Sequence, residues 1–148
     1  MMSFYHAFEG IIKSTLSERH MRIHLFAACM VGIFAYFYGI TPIERGVLIL
    51  TCALVISAEM INTAIERAVD TATKEFSETA KLAKDAAAGA VLVLAFASIL
   101  IAFCIFSDFG KIIRTIIYIC TSLHTAALCL AVGICGSVFV IFGGKNEK

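Results

Sequence analysis

The sequence predicts an all-α integral membrane protein: an N-terminal amphipathic surface helix, three core transmembrane helices and a fourth, C-terminal transmembrane helix. Three observations carry this. The 148 residues are 60% hydrophobic and 16% charged, with a mean hydropathy of +0.92, whereas an average soluble domain is about 45–50% apolar and 25% charged. The apolar residues gather into runs of roughly 20, enough to cross about 30 Å of hydrocarbon as a helix. Basic residues collect at alternate connections between the runs, as in a chain that threads back and forth. A formal net charge of +1 gives no electrostatic case for nucleic acid.

Residues 4–22 mix Phe4, Phe8, Ile11, Ile12 and Met21 with Glu9, Lys13, Glu18, Arg19 and Arg22 at helical spacing. They are too polar to span, and a helix lying on the membrane surface fits. The N-terminus, Met1 to Glu18, lacks the basic-then-apolar order of a cleaved signal. The first spanning run, 23–40, ends at Gly39-Ile40-Thr41-Pro42, where the only proline marks a tight turn. The second, 46–65, continues without Gly or Pro into the polar stretch 67–85, so its helix runs on into water before turning. The third, 86–106, opens with Ala86, Ala87, Ala88 and Gly89, small residues that let helices approach closely in lipid. After Ser107-Asp108-Phe109-Gly110, residues 112–142 form a fourth apolar run longer than a crossing requires, so it should tilt or begin with an interfacial turn. No Pro/Gly/Ser-rich linker divides the chain.

With four spans, Lys13, Arg19, Arg22, Arg67, Lys74, Lys81, Lys84, Lys145 and Lys148 share one membrane face, and Arg45, Lys111 and Arg114 the other. The richer face is expected to be cytoplasmic. The same face receives the most informative segment, Glu59-Met60-Ile61-Asn62-Thr63-Ala64-Ile65-Glu66-Arg67-Ala68-Val69-Asp70. Each ionised group at a bilayer centre costs roughly 3 kcal/mol, so acids in a spanning helix mark function by default. Glu59, Asn62, Glu66 and Asp70 step by three, four and four, which lines them along one helix face.

A stripe of oxygen ligands facing the nucleotide-containing compartment suits magnesium, which takes one or two carboxylates and completes its shell with water and phosphate. Phosphoryl transfer also needs a cation for the moving group and a base for the attacking hydroxyl. Lys84, beside Asp85 at the start of the third span, is placed to give that charge, with its neighbour able to orient it. No Gly-x-x-x-x-Gly-Lys-Ser/Thr loop exists, and Gly143-Gly144-Lys145 lacks its spacing and hydroxyl. A nucleotide site would have to be built from side chains.

Glu59-Met-Ile-Asn62-Thr-Ala-Ile-Glu66 with Asp70, followed by Ala83-Lys84-Asp85-Ala-Ala-Ala-Gly-Ala-Val-Leu, resembles the signature of the prokaryotic diacylglycerol kinase family. Ala7-Phe8-Glu9-Gly10-Ile11 and Glu18-Arg19-His20-Met21-Arg22-Ile23-His24 resemble the family's amphipathic helix and the start of its first span. The likeness covers residues 4 to about 106, giving a kinase-like domain over 1–110 and an additional helix and tail over 111–148. It implies a homotrimer in the bacterial plasma membrane, with shared active sites at the cytoplasmic face, that moves the γ-phosphate of MgATP to a membrane lipid alcohol. Carried over by position, Glu59 is the general base at the substrate, Glu18 and Glu66 the Mg²⁺-ATP ligands, Asn62 a polar site residue, and Lys84 with Asp85 the nucleotide-contacting pair. The Glu18–His24 segment is more similar to Gram-positive members, which phosphorylate undecaprenol, than to enterobacterial diacylglycerol kinases. The family pattern offers no role for the tail.

Other readings compete. From spacing alone, Glu18 and Arg22 form a solvated i,i+4 pair, and Lys84 is a snorkelling lysine at a helix start. His20 and His24 read as surface histidines and His124 as an interhelical hydrogen-bonding group. The six cysteines, none in a Cys-x-x-Cys pair, read as small packing residues. The aromatics near Tyr36 read as an interfacial belt. An acidic stripe also suits an ion or proton transporter, although no inverted repeat or broken midplane helix accompanies it. A non-catalytic assembly subunit would show no nucleotide dependence.

Overall fold

The computed structural model describes residues 2–73 and 75–144. It contains six helices and, among the described residues, no strand: α1 (Met2–Ser17), α2 (Arg19–Tyr38), α3 (Pro42–Ala72), α4 (Glu78–Ile105), α5 (Phe109–Thr121) and α6 (Leu123–Phe142). α2, α3, α4 and α6 are each long and apolar enough to cross a membrane. The chain is thus a multi-pass membrane protein. The last residues of α1, the end of α3, the start of α4 and the end of α6 lie on one side. The 39–41 turn and α5 lie on the far side.

The far-side turn is specified locally. Gly39 adopts φ 71° and closes α2 by donating its N–H to Ala35 O at 3.0 Å, a left-handed stop that only glycine takes without penalty. Thr41 then caps α3: its Oγ1 accepts from Glu44 N at 3.3 Å while the Glu44 carboxylate accepts from Thr41 N at 2.7 Å, with Pro42 in the first turn. Beneath it Ala35, Tyr38, Ile40, Leu48 and Ile105 form a buried cluster, with the Phe106 ring edge-on to Tyr38 at 5.1 Å. The aromatic belt therefore divides. Tyr36 is exposed toward lipid, whereas Tyr38 is buried and carries Lys111 Nζ 4.2 Å above its ring.

α3 and α4 form the most extensive helix pair. α4 buries Ala87, Val91 and Ile105 and leaves Phe96, Leu100 and Phe103 exposed. Of the small residues opening it, Ala87 makes the close approach; a side chain at Gly89 would meet nothing within 4 Å. α1 exposes Phe4, Phe8 and Ile12, apolar surface suited to the lipid interface. On its polar side Lys13 donates to Glu9 at 2.8 Å, and that ion pair holds the Glu9 carboxyl below its ordinary value.

Three expectations need correction. The amphipathic helix ends at Ser17 and not at Arg22: Glu18 is extended (φ −103°, ψ 122°) and α2 starts immediately after it. The fourth run does begin at the interface before it spans, but with a whole helix and not a turn, α5 parting from α6 at Ser122. There Thr121 Oγ1 donates to Ile117 O and Thr125 Oγ1 to Ile119 O and Ser122 O, so hydroxyls take carbonyls that a continuous helix would use. α5 does not span. Lys111 donates to Gly39 O at 3.2 Å and Tyr118, two turns later, meets Phe37, so α5 crosses the far-side end of α2 as an interfacial helix before α6 descends. The third correction concerns the cysteines: Cys29, Cys104, Cys120 and Cys135 are free and exposed on apolar helices, not packed inside.

Candidate functional site

α3 carries one continuous inward stripe. Leu48, Thr51, Val55, Glu59, Asn62 and Thr63 are buried, Glu66 is half-buried and Asp70 exposed. Its composition changes from apolar to acidic toward the α1 side, as the spacing predicts, because 31 residues of uninterrupted helix keep the period.

Glu59 is 3% exposed. A buried carboxylate needs a partner, since an isolated ion in low dielectric is costly. His20 supplies one from the first turn of α2: its Nδ1 lies 4.0 Å from Glu59 Oε1, while the imidazole itself is 77% exposed. The pair is ionic only when the histidine is protonated. His20 is therefore a surface histidine in exposure but a site residue in position.

One turn further, Asn62 Nδ2 donates to Glu66 Oε1 at 3.0 Å, while Asn62 Oδ1 is buried without a hydrogen-bond partner. Buried acceptors are almost always satisfied. An orphan one between two carboxylates is suited to a donor or cation brought by a ligand.

Glu18 is drawn to the same end of α3. Its Oε1 accepts from Arg67 at 3.3 Å and from Ser17 Oγ at 3.3 Å, and Arg67 also donates to Ser17. The expected Glu18–Arg22 pair is absent; Arg22 is buried and turns to backbone carbonyls instead. Lys84 likewise does not pair with Asp85. It bridges to Asp70, joining α4 to α3. Asp85 faces a separate open depression of about 420 Å³, also lined by Phe76, Glu78, Thr79, Lys81 and Leu82. Glu59, Asn62, Glu66, Glu18, Lys84 and Asp85 thus gather at the α1 side of α2–α4. His20 and Arg67 are additions that the sequence reading missed.

Deeper in the membrane, an apolar groove of about 190 Å³ separates α2, α3 and α4. Ala27, Ala28, Val55, Ile56 and Ala102 line it, and His24 sits at its α1 end. His124, far from all of this on α6, is exposed.

Fold and site together define a membrane protein that presents a carboxylate-and-lysine cluster at one face of its bilayer. The family model of prokaryotic diacylglycerol kinases matches residues 5–106, and the chain belongs to that family. It is 42% identical over 104 residues to the undecaprenol kinase of Bacillus subtilis, covering 70% of this chain and 85% of that one. It is 39% identical over 106 residues to a diacylglycerol kinase of Synechocystis, covering 71% of this chain and 61% of that one, and 30% identical over 107 residues to the Escherichia coli diacylglycerol kinase, covering 71% and 87%. No solved structure matches significantly. The matched region stops before α5 and α6.

Proposed function

We propose that the protein is a lipid kinase that transfers the γ-phosphate of ATP to the hydroxyl of a membrane lipid, with undecaprenol the favoured acceptor and diacylglycerol the alternative. The observation that carries this is Glu59: a buried carboxylate in a spanning helix, one turn from the orphan acceptor of Asn62. A lipid alcohol at this depth would donate its one hydroxyl proton to Glu59, one helical turn from the polar Asn62. The groove between α2, α3 and α4 offers apolar wall for its chain. Undecaprenol is favoured by the 42% identity to the Bacillus enzyme over 104 residues.

In the reaction, the substrate oxygen attacks the γ-phosphorus while Glu59 accepts the hydroxyl proton, and the bond to the ADP oxygen breaks. Lys84 leaves Asp70 for the phosphate and offsets its charge. Asp85, in the neighbouring depression, contacts the nucleotide. Among the described residues no group of three His, Cys, Asp or Glu side chains is arranged for a metal, but Mg²⁺ rests on one or two carboxylates with phosphate and water. Glu18 and Glu66 would hold it, and the unsatisfied Asn62 oxygen beside Glu66 fits that polarity. When bound, Mg²⁺ lowers the cost of negative charge on the nucleotide phosphates.

A site on the cytoplasmic face of the bacterial plasma membrane is the orientation that the basic residues gathered at this end of the spans favour. A homotrimer with shared sites accords with the family and with the apolar surface that α4 leaves uncovered. The test is transfer from γ-labelled ATP in mixed micelles containing undecaprenol or diacylglycerol, with and without magnesium. Selective labelling of undecaprenol supports the reading, preference for diacylglycerol moves it to the alternative, and labelling of neither overturns it.

A further inference from the structure

α6, which lies outside the matched region, meets the site end at Arg22. Arg22 is 5% exposed and, among the described residues, has no carboxylate partner. Its Nη1 donates to Leu16 O at 2.6 Å and Thr15 O at 3.3 Å, in the last turn of α1, and its Nε donates to Val140 O at 3.4 Å, in the last turn of α6. A cation between two helix C-termini is stabilised by both sets of unpaired carbonyls. The planar guanidinium can address them in different directions, which a lysine ammonium cannot.

The chain just past α6 leaves room for it, and α6 itself seats a neighbouring ring. A Cβ at Gly144 would lie 2.9 Å from Arg22 Nη1 and 2.9 Å from Leu16 O, so only glycine leaves room for that hydrogen bond. One turn along α2 from Arg22, Phe26 packs onto Gly136 so closely that a Cβ there would enter the ring. Arg22 thus holds the carbonyls of residues 15 and 16, and the next two residues, Ser17 and Glu18, are those that Arg67 engages.

We infer that Arg22 is a positioning residue through which α6 fixes the Ser17–Glu18 corner of the kinase site. The functional half of this rests on the reading of Glu18 as a MgATP ligand. α6 is then a brace for the nucleotide end of the site, reaching Glu18 through the backbone of α1.

The test uses full-length protein in micelles and approaches the clamp from both sides: Arg22→Gln and Arg22→Lys on α2, Gly144→Val just past the end of α6, and Gly133→Val, at a position where an added Cβ meets nothing within 4 Å, as control. Two readouts are taken, KM for MgATP against kcat and amide hydrogen exchange over residues 13–18. Arg22→Gln and Gly144→Val should raise KM for MgATP about tenfold with kcat little changed, as loss of a supporting partner behind a metal ligand does. They should also accelerate exchange at 13–18. Arg22→Lys should fall between, and Gly133→Val should match the parent. Unchanged exchange at 13–18 in Gly144→Val would overturn the clamp; accelerated exchange with unchanged KM would overturn its role in the site. Glu18→Gln run beside them separates the two claims: if it leaves KM unaltered, the ligand reading of Glu18 fails and takes the functional half with it, while exchange still decides the clamp.

Discussion

Lys84 and Asp70 form an ion pair that ties the start of α4 to the end of α3, although they belong to different helices and each has a nearer charged neighbour in sequence. The pair keeps a flexible ammonium at the mouth of the site, where phosphate would replace the aspartate. Lys84→Met should therefore lower kcat/KM by about 10²-fold or more, the scale for removing an electrostatic stabiliser of transferring charge. Asp70→Asn should cost about tenfold, because it removes only the orientation. Steady-state kinetics in lipid micelles separates the two; equal losses would mean that Asp70 itself meets the substrates.

Glu59→Gln should reduce kcat by about 10²–10⁴-fold, the range ascribed to a positioned general base. The same change removes a buried charge, so the thermal midpoint should hold or rise. A variant that loses activity and stability together would identify Glu59 as a structural residue.

His20 gives a charge-dependent test of its neighbour. His20→Lys places a permanent cation near Glu59 and should depress kcat more than His20→Gln, since a fixed positive charge favours the carboxylate and weakens it as a base. If the two variants behave alike, the 4.0 Å approach has no bearing on proton transfer.

Asn62 couples stability against activity. Asn62→Leu eliminates the unsatisfied Oδ1, and such a group costs about 1–3 kcal/mol. The variant should unfold at equal or higher denaturant than the parent while losing most phosphate transfer. A destabilised Asn62→Leu would show that the Asn62–Glu66 bond outweighs the orphan oxygen.

The parts of this architecture legible in the sequence are those written at helical period or in a turn. The stripe from Leu48 to Asp70 depends on one unbroken helix, and Gly39, Thr41, Pro42 and Glu44 dictate their turn within six residues. The membrane class followed from composition. The site's partners were not legible in the same way. Glu18 has Arg22 at ideal helical spacing, yet the helix breaks at Glu18, the carboxylate goes to Arg67 and the arginine to carbonyls of α1 and α6. That break carries no glycine or proline and exists because tertiary contacts occupy both sides of it. The division at Ser122 left a faint mark, three hydroxyls within five residues and a polar line of Lys111, Arg114, Tyr118 and Thr121 on α5. Hydropathy averaged over a window the length of a span erases such a mark. His20 was passed over because exposure and proximity to a buried acid are independent, and only the packing of α2 on α3 joins them.

The seat of Phe26 on Gly136 works as a key in a lock. Lipid supplies no force that prefers one alignment of two greasy cylinders over another, so an extra helix could settle at many heights and rotations. A single aromatic ring meeting a single missing side chain removes both freedoms at once. It makes the added helix an indexed component, whose last turn arrives at Arg22 each time the chain folds.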